Sequence, residues 1–491
     1  MKKNGLSDII TSIMRVKILK NLAYLMVFFI TLLPLPWSSY RLKTVSWPDL
    51  FVFAVILVEI YFYIRSYKKK TFKIKDLLLV VPLISIIMAF YSFVMIFTGS
   101  PDISFHSKTF LFFNISTYFL LAGTVSYFLW KQLGRLKQNK KQVVAFFEFP
   151  VFLFIIACLL SFVNAGDPER SIFMFKSILT GIIILYFIKE LFMEDKNTLK
   201  GLGYSYVCGA SITALLGFFQ YFTGTPMGFI GNPGIHNFIG QNNEVYTRLV
   251  STMQHPNLLA AALLPAVFIN PALWISLKKK TAWLTGYHLI SFLVLVFAVI
   301  LTYSRAVWLG LLIGFIGLLI IVAWNNKKII MVSAVVITAL FLLFHVQILE
   351  RLKGTTENDV NVVSRIEAWK SAILMFKDYP LTGIGLNNYY TTYEKYKTPA
   401  APFIMEDAHN TFLNTAAELG LFGIAAFLWL LVVFFRKFFS PGKEVKVLLV
   451  GLLALLIAGC FENLWFDPRV IAVFWIFLAF IYGTEKVYSK K

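Results

Sequence analysis

Arg248 in "YTRLVSTMQHPN", Arg305 in "TYSRAVWLG" and Arg365 in "VSRIEAWKS" offer one chemistry. A guanidinium stays charged at any physiological pH and grips a phosphate through two parallel N–H···O bonds, which an ammonium cannot reproduce. Each arginine alone is also explained by snorkelling to lipid phosphate or by neutralising a nearby carboxylate. Two of them at the outer membrane boundary, Arg248 and Arg305, with Arg365 in a large loop, make an anionic ligand the stronger reading. Lys176 in "FMFKSIL" is a further candidate, for which an upward snorkel to the outer surface is the simpler account. His409 stands beside Asn410 in "EDAHNTFLNTAAELGLFG", at the mouth of an apolar helix. Along that helix Asn410, Asn414 and Glu418 form one polar stripe, while His409 heads a face of small residues, Ala416, Gly420 and Gly423. A small-residue face lets a neighbouring helix approach closely. Glu418 lies too far down to orient the imidazole and reads as a buried partner for another helix. His106, His236, His288 and His345 read as packing or capping residues.

The elements that position these groups follow from composition. The 491 residues are 58% hydrophobic and 17% aromatic with only 14% charged, too apolar to cover a soluble domain of this length. The chain reads as an all-α, polytopic membrane bundle. Apolar stretches of spanning length fall near 21–38, 49–65, 77–98, 109–130, 143–163, 171–191, 201–222, 257–277, 282–303, 306–324, 329–346, 412–435, 447–466 and 469–485, which gives about 12–14 transmembrane helices. The basic N-terminus has no small-residue cleavage site and leads into a retained first helix. With both termini cytoplasmic, the basic clusters "KKKTFKIK", "KQLGRLKQNKK", "KKK" at 278–280, "NNKK" and "RKFFSPGKEVK" all fall inside. The net charge of +21 then reports orientation in the cytoplasmic membrane and attraction to anionic lipid; nucleic acid is not needed to explain it. Cys158, Cys208 and Cys460 lie in apolar runs and suggest neither a disulfide framework nor a metal site.

Three regions result: transmembrane helices over 1–346 with an external loop near 223–256, a large external loop over 347–411, and C-terminal transmembrane helices over 412–491. Long extramembrane loops are where function concentrates. In the second loop Arg365, Ile366, Trp369, Ile373 and Phe376 recur at helical spacing, predicting an amphipathic helix over the bundle or the membrane. Pro380 ends it, and Gly383 and Gly385 permit a tight turn.

From about residue 245 to 435 the chain resembles the O-antigen ligase and polymerase superfamily of bacterial envelope glycan assembly. The resemblance rests on R-x-x-x-W at Arg365, P-L-x-G-x-G at Pro380 and H-N-x-x-L-x-x-x-x-E-x-G at His409, in that order between two spans. It implies a helical bundle, usually nearer twelve spans, whose external loop covers a cavity for an undecaprenyl-diphosphate-linked glycan. On that reading His409 is the general base for an acceptor hydroxyl, a role that contributes roughly 10²–10⁴ in rate. Arg248, Arg305 and Arg365 stabilise charge growing on the diphosphate, and Asn410, Glu418 and Lys176 support them. The expected partners are the lipid-linked donor, a glycan acceptor and membrane lipids. Neither metal nor cofactor is expected, since no external carboxylate cluster has Mg²⁺-holding spacing.

Two rival classes fit less well. A flippase or exporter of lipid-linked glycans would line a midplane cavity with cations, whereas these cluster at one surface. A transferase using a lipid-monophosphate sugar with an acidic base in the first external loop would have only Asp49. Ligase and polymerase are hard to separate. The Lys-, Ile- and Phe-rich usage points to an AT-rich, Gram-positive setting without a lipid A core, which favours polymerisation of a wall or capsular polysaccharide such as a teichuronic-acid-like polymer.

Overall fold

The computed structural model describes residues 2–32, 54–58, 61, 148–224, 236–239, 245–253, 255–323, 346, 349–350, 360–439 and 442–488. The expected spans near 77–98, 109–130 and 329–346, most of that near 49–65, and Asp49, His106 and His345 lie outside these residues.

The described chain is an all-α, polytopic membrane protein. Its helices are α1 (Lys2–Leu32), α2 (Glu148–Leu160), α3 (Pro168–Glu194), α4 (Asn197–Thr223), α5 (Pro256–Ile275), α6 (Ala282–Leu301), α7 (Arg305–Ala323), α8 (Val360–Asp378), α9 (Tyr389–Tyr396), α10 (Thr411–Phe435), α11 (Lys443–Gly459) and α12 (Pro468–Tyr488). Strands β1 (His236–Ile239) and β2 (Val245–Arg248) pair antiparallel, with His236 opposite Arg248. Among the described residues, 7 helices are long and apolar enough to cross a membrane. Their starts carry local signals. Asp167 accepts from Arg170 N and precedes Pro168, and His255 accepts through Nδ1 from Asn257 N and precedes Pro256. The stretch 282–324 is two helices: Tyr303 takes a positive φ of 50° between α6 and α7 and reverses the chain.

Helices α3 and α12 pack together at the centre and are mostly buried. Helix α7 lies along α11, where a Cβ on Gly310 would stand 2.3 Å from the carbonyl oxygen of Ala454, so the two backbones touch as small-residue packing allows. Lys278–Lys280, Arg436 and Lys437 lie at the end of the bundle opposite Arg248 and His409, because α5 and α10 run away from those residues.

The large loop departs from expectation in two ways. Helix α8 buries Ser364, Glu367, Ala368, Ser371, Ala372 and Met375, while Ile366 and Ile373 are 41% and 44% exposed. Small residues face inward because the tyrosines of α9 fill the space beneath them: Tyr389 Oη donates to Ala368 O at 2.6 Å, and Ser371 Oγ donates to Tyr396 O at 3.0 Å. Helix α10 is also broken. Gly420 has φ 63° and ψ −162°, which only glycine adopts at low energy.

The loop takes up two amides and two carbonyls beside this break. In an unbroken helix Leu421 N and Phe422 N would bond the carbonyls of Ala417 and Glu418. Instead Leu421 N donates to Pro380 O (2.7 Å) and Phe422 N to Leu381 O (3.3 Å), while Ile384 N and Gly385 N donate to Ala417 O (2.9 Å) and Glu418 O (3.2 Å). A Cβ on Gly420 would meet the Leu381 carbonyl carbon at 2.4 Å. The small face of α10 therefore admits the loop's own backbone at Gly420, where a neighbouring helix was expected.

Candidate functional site

The same loop segment is anchored on its other side by the turn before α3. Asn164 Nδ2 donates to Thr382 Oγ1 and Gly383 O, both at 2.9 Å; Ser171 Oγ donates to Leu386 O at 2.7 Å; Asp167 N donates to Asn388 Oδ1 at 2.6 Å. Glu418, buried on α10, accepts from Asn387 N at 2.8 Å and Tyr389 N at 3.3 Å. Its partners are thus the loop and the first turn of α9, where another helix was expected. Held between α3 and α10, the loop fixes α8 and with it Arg365.

His409 sits where the loop enters α10. Asn410 is the N-cap: its Oδ1 accepts from Phe412 N and Leu413 N, both at 3.0 Å. Asn414, one turn on, accepts from Ala408 N at 3.1 Å. These bonds hold His409 at φ 44°, a conformation uncommon outside glycine. Nδ1 of His409 is buried and lies 3.8 Å from Asp407 Oδ1 and 3.5 Å from Glu462 Oε2, while 33% of the side chain is exposed. The accessible part of the ring is therefore the side away from these carboxylates.

Glu462 is the hub. It lies on the turn between α11 and α12, and its Oε1 accepts from Arg365 Nη2 at 2.6 Å and from Asn257 Nδ2. Asn257 Oδ1 in turn accepts from Arg248 Nη2 at 2.7 Å, and Arg248 Nε donates to Thr302 O at 2.8 Å. The turn itself is fixed: Thr411 Oγ1 donates to Glu462 O at 2.8 Å, and the wholly buried Arg469 bonds Asp467 through two nitrogens, at 3.1 and 2.9 Å, and Thr252 O at 3.0 Å.

The electrostatics follow from this packing. Burial works against a charged His409, but the Asp407 and Glu462 carboxylates outweigh it and push the imidazole up to about 9. Burial would raise Glu462, yet Arg365 and His409 pull it down to about 2. Burial raises Asp407, opposed by His409. Such a cluster can hold an anion on its arginines and exchange a proton at the imidazole.

The expected residues separate accordingly. Arg365 and His409 meet at Glu462, and Arg248 joins them through Asn257, with Asn410 and Glu418 supporting the backbone around them. Arg305 is the half-buried first residue of α7, three positions after the Thr302 carbonyl that holds Arg248, and so belongs to the same end. Lys176 does not reach out to the surface: it is 3% exposed, with its ammonium 5.1 Å from the ring centre of Phe173. His255 and His288 behave as structural residues, the first a helix cap and the second bonded to Asn270.

Sequence reasoning missed Glu462, Asp407 and Asn257. Glu462 was absorbed into a span expected over 447–466, whereas α11 stops at Gly459. The signal was present in "CFENLWFDPR", where Glu-Asn inside an apolar run precedes Asp-Pro, a helix-start pair.

Residues 290–428 match the family model described as O-Antigen ligase. The match supports an O-antigen ligase or polymerase-like family and implies an enzyme that joins or polymerises glycans. It spans Arg305, Arg365, His409, Asn410 and Glu418 and leaves Arg248 and Glu462 outside. No curated protein matches the chain.

Proposed function

We propose that this protein transfers an undecaprenyl-diphosphate-linked glycan to a glycan acceptor at the outer face of the cytoplasmic membrane. The observation that carries the reading is the convergence of Arg365, His409 and, through Asn257, Arg248 on Glu462 beneath the large loop.

The acceptor hydroxyl loses its proton to Nε2 of His409, whose Nδ1–H faces Glu462. The resulting oxygen attacks the anomeric carbon of the donor sugar, and the bond from that carbon to the diphosphate breaks. The products are the extended glycan and undecaprenyl diphosphate. Charge that grows on the departing diphosphate is met by the guanidinium groups of Arg248, Arg305 and Arg365, held at this end of the bundle. A site at the end of apolar helices leaves the polyprenyl tail in the bilayer. Glu462 positions the imidazole and stabilises it once protonated, and no metal is assigned a part. Growth of a repeat-unit polymer, such as a teichuronic-acid-like chain, is the form of the reaction that the residue usage favours.

The test is reconstitution. Purified protein in liposomes, supplied with lipid-linked repeat units, should lengthen the glycan without moving unreacted donor between leaflets; movement without bond formation would instead mark a flippase. Cysteines at Glu394 and Lys279, both exposed, should label from outside and inside respectively, and labelling of Glu394→Cys from the cytoplasm would remove the external assignment.

A further inference from the structure

Arg365 Nη2 and Asn257 Nδ2 both donate to one oxygen, Oε1 of Glu462. Both are donors that a diphosphate at this end of the bundle would use, and Asn257 is turned toward Glu462 by Arg248, which occupies its Oδ1. These two partners fix the plane of the Asn257 amide and commit one of its two N–H donors to Glu462. The carboxylate keeps 14% of its side chain exposed and is flanked by His409, while the Arg365 side chain is 22% exposed, so solvent reaches both members of the pair.

Building on the diphosphate reading above, we infer that Glu462 competes with the diphosphate for Arg365 and Asn257 and thereby limits how tightly the product is held. A diphosphate brings at least two negative charges against the single one of Glu462, so it can displace the carboxylate from the guanidinium. The displaced carboxylate stays beside His409, where it opposes the diphosphate across a few ångströms. Like charges at that separation in a partly buried site change affinity by about tenfold or more. The arrangement gives the enzyme arginines strong enough to stabilise a leaving diphosphate together with an internal anion that helps expel it. Without such a counterweight, product release would limit turnover. Glu462 is thus a positioning residue for the imidazole and an affinity-setting residue for the product.

The sign of one measurement separates this from a role confined to orienting His409. Undecaprenyl diphosphate is titrated into the full-length protein in nanodiscs, and its Kd is measured for wild type, Glu462→Gln and Glu462→Asp. Glu462→Gln keeps the shape and an acceptor oxygen but loses the charge, and should bind about tenfold more tightly or better. Its melting temperature without ligand should fall while the rise on adding ligand grows, a pattern that simple misfolding does not give. Glu462→Asp, which draws the charge back by one methylene, should tighten binding to a smaller degree and decides the matter if the Gln variant cannot be purified. Equal or weaker binding in the variants, with wild type binding normally, would overturn the inference alone. No binding by wild type would remove the diphosphate site itself, and this inference with it.

Discussion

Nδ1 of His409 lies 3.5 Å from Oε2 of Glu462, one residue before α10 and the other after α11. The pairing holds a proton on the imidazole up to about pH 9, so the base form is the minor form at neutral pH. In the proposed mechanism only neutral His409 accepts the hydroxyl proton, so kcat/KM should climb about tenfold per pH unit below 9 and level off above it. Glu462→Gln removes one of the two carboxylates that raise the imidazole, so its rising limb should move to lower pH. A wild-type profile that falls as pH approaches 9 would assign His409 to a cationic role instead.

Arg248 makes two bonds in different directions, Nε to Thr302 O and Nη2 to Asn257 Oδ1. A lysine at this position keeps the charge but cannot span both acceptors. Arg248→Lys should therefore lose most transfer activity, by about tenfold or more, with normal protein yield, and Arg305→Lys should behave alike if it also grips the diphosphate. Lys176→Ala should cost less activity than either. Wild-type rates in Arg248→Lys would reduce the residue to a helix-end anchor.

Much of this architecture is written in local pattern, and the exceptions share one cause. The starts of α3, α5, α10 and α12 are announced by Asp167, His255, Asn410 and Pro468, and the lengths of α3 to α7 follow from apolar runs, because both signals depend on neighbours in sequence. The break at Gly420 depends on Pro380 and Leu381 supplying acceptors from another segment, and a glycine within an apolar helix gives no hint of that. Glu462 and Asp407 were hidden for the same reason: their meaning comes from Arg365 and His409, distant in the chain. The inward face of α8 was misjudged since Ala368 and Ala372 become core only under the tyrosines of α9.

The stitching of the loop into α10 has its own test. Gly420→Ala forces a Cβ to within 2.4 Å of the Leu381 carbonyl carbon at a positive φ, and should destabilise the protein by more than about 2 kcal/mol. Glu418→Ala strips the acceptor from Asn387 N and Tyr389 N and should cost on the order of 3 kcal/mol, seen as a lower melting temperature and yield. Unchanged melting in both variants would mean the loop is held by other contacts.

The central claim is that His409, inside an arginine-lined site, takes the acceptor's proton. Its most direct measurement is a single reconstituted assay with purified lipid-linked repeat units, in which donor retention and glycan length are read on the same His409→Ala sample beside wild type. Because Arg248, Arg305 and Arg365 remain, the variant should insert normally, retain the donor and leave the glycan on its carrier, whereas polymer of wild-type length at wild-type yield would contradict the account.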